Sequence, residues 1–191
     1  MSTVKLVQNV EATGKVEQVF KAVEQQYGFV PNILKAIANC PDLLATFAPF
    51  WGAIYTSPVI SARDRAIAAL ATARSHNCNY CVSHMSASAM KAGMSGLEIA
   101  ATTLAGCDAL PSERDKLIVE YATTLTKDTG GVTDELRTRL KSEFSDAELV
   151  NLTLVIGLYN LTGRFLRALN VEVEDVFQRM PAPSAAAGSS A

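Results

Sequence analysis

The chain has 191 residues, 49% of them apolar, which is enough to bury one globular core and too apolar for a disordered segment. Its 17 basic and 19 acidic residues are interspersed and sum to a formal charge of −2, so no basic stripe invites nucleic acid or an anionic membrane surface. The start, Met1 to Val10, lacks the apolar core of an export signal, and no uncharged apolar run approaches the ~20 residues of a membrane span, which makes a cytoplasmic protein the expectation.

Apolar residues recur at helical spacing along nearly the whole chain, and period-two alternation is confined to Val4–Val10, so the expected fold class is all-α. Helices are predicted at 15–27, 32–39, 42–56, 62–76, 78–92, 96–105, 112–127, 133–143 and 146–169. Gly28 stands where the first runs out, and Pro31 and Pro41 stand where the second and third begin. Ser-x-x-acid capping boxes then open four of the later helices: Ser61 to Asp64, Ser95 to Glu98, Ser112 to Asp115 and Ser145 to Glu148. Gly93, Gly106 and Gly130 fall where periodic segments end. The last helix is apolar nearly all round from Leu149 to Leu158, which requires a central place in the core or burial between subunits, so a homo-oligomer is expected. A single domain over 1–180 is followed by Pro181 to Ala191, a Pro/Ala/Ser/Gly stretch expected to form a flexible tail.

Of the four cysteines, Cys40 and Cys107 stand at helix boundaries and read as small packing residues, while Cys78 and Cys81 form a CxxC pair. At a helix start, residues i and i+3 lie about a turn apart, so the two sulfurs can meet in a disulfide. The free N–H groups and dipole of that terminus favour thiolate. Asn77 is the expected cap. His84 follows Cys81 by three residues, about 60° around the helix, where it can serve that thiol as a base. His76, the only other histidine, lies just before the pair. Competing readings are two inert packing cysteines, structural zinc on His76, Cys78, Cys81 and His84, and a His84 that merely packs. Zinc is disfavoured because four ligands along one stretch project from several sides of a helix.

These residues resemble the carboxymuconolactone decarboxylase and alkyl hydroperoxidase D family, in its peroxidase-related branch. The resemblance rests on Gly28 to Asn32 with Pro41 and Leu43, on Ser61 to Arg65, on Cys78-Asn-Tyr-Cys81 running to Ala89 and Gly93, and on Asn160 to Arg164 with Ala168 and Leu169. It implies an AhpD-like helical bundle assembled as dimers, trimers or hexamers, with no cofactor and no metal. It also implies a peroxiredoxin-type thiol oxidoreductase that reduces hydroperoxides at the expense of a thiol reductant or reductase protein. Carried over, Cys81 attacks the peroxide, Cys78 resolves the sulfenic acid to a disulfide, and a histidine and a glutamate pass the proton.

Two positions depart from the pattern. The family glutamate falls on Ala66, and the family histidine falls on Met85, one residue beyond His84. Among other acids, Asp64 faces nearly the opposite side of its helix and is explained as a cap, Glu148 is likewise a cap, and Glu120 sits oddly within an apolar stretch. The expected activity is therefore a thiol peroxidase, slowed by an incomplete relay. The alternatives are a lactone decarboxylase-like enzyme or other small-molecule chemistry in the same pocket, and a non-catalytic redox-sensing oligomer.

Overall fold

The computed structural model describes residues 1–178, and it is helical; the expected tail at 181–191 and the last two residues of the expected domain lie outside the described residues. Thr13 precedes α1 (Gly14–Tyr27), which turns Val16, Phe20 and Val23 inward and stops where Gly28 adopts φ 82°, a left-handed conformation that costs glycine little. Prolines set the next two starts: Pro31 immediately before α2 (Asn32–Ile37), and Pro41 as the first residue of α3 (Pro41–Thr56). There follow α4 (Ala62–Ser75), α5 (Asn79–Lys91), α6 (Gly96–Ala100), α7 (Glu113–Lys127), α8 (Asp134–Glu143), α9 (Asp146–Ala168) and the short α10 (Asp175–Gln178). Among the described residues there is no strand, and Val4–Val10 runs as irregular chain into a 3₁₀ turn at Asn9–Glu11.

The bundle is built around α4, which packs on α5, α7 and α9 and is buried continuously from Asp64 to Ala73. Its alanines at 66, 68, 69, 71 and 73 explain how one helix accepts neighbours on so many sides, because small side chains let helix axes approach closely. The four serine caps form as expected, but only Ser95 and Ser145 complete the reciprocal box with Glu98 and Glu148. In the other two the acid is aspartate, and its carboxylate goes elsewhere. Arg63 of α4 binds Asp115 of α7 (2.8 Å), and Arg114 of α7 binds Asp64 of α4 (3.0 Å), a reciprocal exchange between two Ser-x-Arg-Asp helix starts. Each arginine also takes one of the capping glutamates, Arg63 with Glu98 and Arg114 with Glu148, both at 2.7 Å. Four helix N-termini are thereby tied into one network of charge-assisted bonds.

The sixth helix is shorter than the predicted 96–105. The Arg74 guanidinium donates to the Ile99 carbonyl (3.1 Å) and to the Thr102 hydroxyl (3.1 Å), and the Thr102 hydroxyl donates to the same carbonyl (2.8 Å), so the acceptor of the next helical turn is already engaged. Helix α9, with mean hydropathy 1.3, is by length and composition apolar enough to cross a membrane; here Leu152, Val155, Ile156, Tyr159 and Leu166 are in the protein core. Val150, Leu154 and Leu161 are exposed on its other side. After α9 the chain turns at Asn170 (φ 47°) and runs back across the molecule, where α10 packs against α5. This final segment, missed from the sequence, positions the site.

Candidate active site

Between α4 and α5 the chain turns within three residues. His76 ends α4, Asn77 adopts φ 57°, and Cys78 becomes the N-cap of α5, its sulfur accepting the Cys81 N–H at 3.3 Å. The cap is thus the first cysteine and not Asn77; asparagine tolerates the left-handed conformation that the tight turn demands, and takes that role instead. Arg167 of α9 braces the turn by donating to the His76 and Asn77 carbonyls.

Both cysteines are buried free thiols, and they hydrogen-bond one another. The bond from Cys81 lowers the Cys78 pKa against the opposing effect of burial, helped by the cap N–H and by Arg167. The same bond, with burial, pushes the Cys81 thiol up. The pair therefore titrates as a unit, its first negative charge resting on Cys78 with the Cys81 proton pointed at it. Cys81 is the member that reaches open space: with His84 it lines a cavity of about 50 Å³ shared with Ile33, Leu34, Phe47, Thr162 and Leu166.

His84 lies flat on Tyr80, ring centroids 4.5 Å apart and 10° from parallel, with Phe177 on it at 4.1 Å. Its Nε2 meets Glu174 Oε2 at 2.6 Å. Glu174 Oε1 accepts from the Tyr80 hydroxyl and from the Asn32 backbone N–H, both at 2.6 Å. Burial would raise the Glu174 pKa, but the bonds from His84, Asn32 and Tyr80 outweigh it and hold the carboxyl below its usual range. An ionised Glu174 fixes the Nε2–H tautomer and leaves Nδ1 as the nitrogen available to a thiol or water in the cavity.

The structure thus places Cys78 beside Cys81, sets Cys81 and His84 on one cavity, and puts a carboxylate against His84 although Ala66 offers none. That acid is Glu174, from the segment after α9. Ala66 itself is buried in α4, and Met85 is buried with its sulfur accepting the Tyr159 hydroxyl (2.6 Å), so position 84 and not 85 faces the carboxylate. Asp64 and Glu148 are engaged by Arg114, and Glu120 by Arg139. His76 stands apart: its Nε2 lies 3.2 Å from the Tyr159 carbonyl, its ring fills the space over Gly163, and burial lowers its pKa. Among the described residues no group of three His, Cys, Asp or Glu side chains is placed to hold a metal ion.

Residues 41–119 match the Carboxymuconolactone decarboxylase family. A stretch of 63 residues is 38% identical to the uncharacterized protein YnjA of Escherichia coli strain K12, covering 33% of this chain and 35% of that protein, so the match spans about a third of the relative's length. The fold is that of an uncharacterized peroxidase-related protein from Ralstonia eutropha JMP134, described as an alkylhydroperoxidase AhpD core, with TM-score 0.80 and 20% identity over 92% of this chain and 94% of the other. It is also that of the debrominase Bmp8, with TM-score 0.75 and 20% identity over 92% and 94% of the two chains.

Proposed function

Because residues 41–119 match the carboxymuconolactone decarboxylase family and the chain has the AhpD-like fold, we propose that it is a dithiol-dependent hydroperoxide reductase whose proton relay is His84 and Glu174. The observation that carries this reading is the Glu174–His84 hydrogen bond of 2.6 Å beside a cavity lined by Cys81. A debrominase of the same fold means that the fold alone does not select the reaction. The paired thiols beside a histidine–carboxylate couple support the hydroperoxide reading, because that set can deliver two electrons and a proton at a single point.

In the proposed cycle the pair starts with both thiols protonated; His84 Nδ1 draws the Cys81 proton away from the Cys78 sulfur, and the Cys81 thiolate attacks the terminal peroxide oxygen. An S–O bond forms, the O–O bond breaks, and the departing alkoxide takes the proton from His84 to leave as an alcohol. The Cys78 sulfur then attacks the Cys81 sulfenic acid, forming the disulfide and releasing water. A thiol reductant or reductase protein returns two electrons and two protons. Such a cycle belongs in a reducing compartment such as the cytoplasm. The proposed homo-oligomer would cover the apolar groove lined by Leu43, Phe50, Leu161 and Phe165, and it is read from light scattering.

The test is peroxide-dependent oxidation of dithiothreitol by wild type and by Cys81→Ser. The reading requires turnover in the first and its loss in the second; equal rates sink it.

A further inference from the structure

His84 lines two chambers of unequal size. The inner one, with Cys81, holds about 50 Å³. The outer one holds about 340 Å³ and is walled by Tyr27, Phe29, Trp51, Tyr55 and Phe177. Pro31, Trp51, His84 and Tyr159 line both, so they meet along one rim. A dry protein cavity that admits benzene is roughly 150 Å³. On that scale the inner chamber takes a head of a few heavy atoms and excludes a ring, while the outer takes a ring with room to spare.

The outer wall is aromatic on both sides. Trp51 stacks on Tyr55 (5.6 Å, 28°), and Tyr27 meets Trp51 at 5.4 Å and 41° and Tyr55 edge-on at 6.1 Å and 69°. Phe29 and Phe177 stand 5.8 Å apart. Ring faces and ring edges are both on offer, which is what a planar π-system uses and a saturated ring cannot. The Tyr27 hydroxyl is buried among the described residues without a hydrogen-bond partner, although a buried phenol is ordinarily satisfied.

We propose that the outer chamber binds the aryl group of the substrate and that the site therefore takes aryl-substituted hydroperoxides, with ring outside and peroxide head inside against Cys81. This rests on the peroxidase reading for its chemistry, with the same S–O bond made and O–O bond broken, but the binding claim stands apart from it. Trp51 is the only tryptophan, so its fluorescence reports occupancy of the shared rim directly.

The experiment titrates the reduced protein with 2-phenyl-2-propanol, an unreactive product-like alcohol, and with its saturated counterpart 2-cyclohexyl-2-propanol, following Trp51 emission. Saturable quenching is expected, with the aryl alcohol bound roughly three- to tenfold more tightly, the worth of one good aromatic pair. Phe29→Leu narrows that gap. No saturable response, or equal affinities, overturns the inference. In the turnover arm, cumene hydroperoxide is favoured over tert-butyl hydroperoxide in kcat/KM. Cys81-dependent turnover without that preference overturns the inference and leaves the peroxidase reading standing. Aryl-selective binding with no turnover of any hydroperoxide supports the inference and overturns the peroxidase reading.

Discussion

Replacing Glu174 with glutamine separates the carboxylate's charge from its shape. The amide oxygen can still accept from the Asn32 N–H and the Tyr80 hydroxyl, both 2.6 Å from Oε1 in the native protein, so the segment stays docked. The amide nitrogen would then face His84 Nε2, also 2.6 Å away, donor against donor. To accept that bond His84 must move its proton to Nδ1, which makes the imidazole face the cavity with a donor and unable to take the Cys81 proton. Loss of one general base costs about 10²–10⁴-fold, so peroxide turnover in Glu174→Gln should fall by that factor. Loss of one charge-assisted hydrogen bond costs about 1.5–3 kcal/mol, visible as a melting point several degrees lower. The sign of the pH effect follows from the depressed carboxyl. Its stabilisation is present above the unfolded pKa of about 4.3 and drains away as pH falls through the lower folded value, so the variant should show a flatter acid limb in unfolding. The assay is dithiothreitol oxidation with cumene hydroperoxide beside thermal melts from pH 7 to 3. A folded Glu174→Gln protein turning over within twofold of wild type would refute the relay.

Four further outcomes are expected. In Cys78→Ala the Cys81 thiol loses both the partner sulfur and its negative charge, so Cys81 should ionise at lower pH than in wild type, read from thiolate absorbance, and its sulfenic acid should persist long enough to be trapped by dimedone. Gly163→Ala would set a methyl 2.1 Å from His76 Cε1 in a space closed by α9, so it should destabilise by about 2–3 kcal/mol, and His76→Ala in the same chain should recover most of that; additive losses would place the clash elsewhere. Arg114→Ala leaves the buried Asp64 carboxylate unpaired and should lower stability by about 2–3 kcal/mol. Bonds from the Ser145 backbone and hydroxyl, then Arg114, hold the Glu148 carboxyl at about 2, so part of the wild type's stability drains as pH falls from about 4.5 to 2, and the Arg114→Ala melts should lose part of that slope. Ala66→Glu would bury a carboxylate at a position 1% exposed and should cost about 3 kcal/mol or more with no gain in turnover; a gain would mean that Glu174 is not the operating acid.

What could be read from the sequence was what short-range chemistry decides. A serine three residues before an acid is a local instruction, and the starts at Ala62, Gly96, Glu113 and Asp146 follow it. Cys78, Cys81 and His84 share one helix turn or two, so their proximity is fixed by helical pitch alone. The errors lie where a distant group decides. Helix α6 is cut short by Arg74, a residue of another helix, and the Arg63–Asp115 and Arg114–Asp64 exchange diverts two expected boxes into interhelical bonds. Glu174 is 90 residues from His84, in the acidic stretch Glu172 to Asp175, and nothing local distinguishes it from its neighbours. The one available signal was an asymmetry: a dithiol helix with a histidine and no acid at Ala66 leaves room for a carboxylate from elsewhere in the chain.

Moving the acid from the core to the chain's last described segment changes what holds the site together. A glutamate at 66 would be fixed by α4, which is buried from Asp64 to Ala73, and could not leave without unfolding the bundle. Glu174 is fixed instead by contacts to the start of α2, the loop before it and α5: the Asn32 N–H, the Asn32 amide on the Glu172 carbonyl (3.0 Å), the Tyr80 hydroxyl, and Phe177 between His84 and Phe29. Those same residues border the aromatic chamber, since Phe29, His84 and Phe177 line it. Ordering the acid and shaping the chamber are therefore one event, because the segment that carries Glu174 to Nε2 also carries Phe177 to the chamber wall. If the proposed aryl ligand fills that chamber, it contacts the segment that presents Glu174 and, by linkage, favours that segment's seated position.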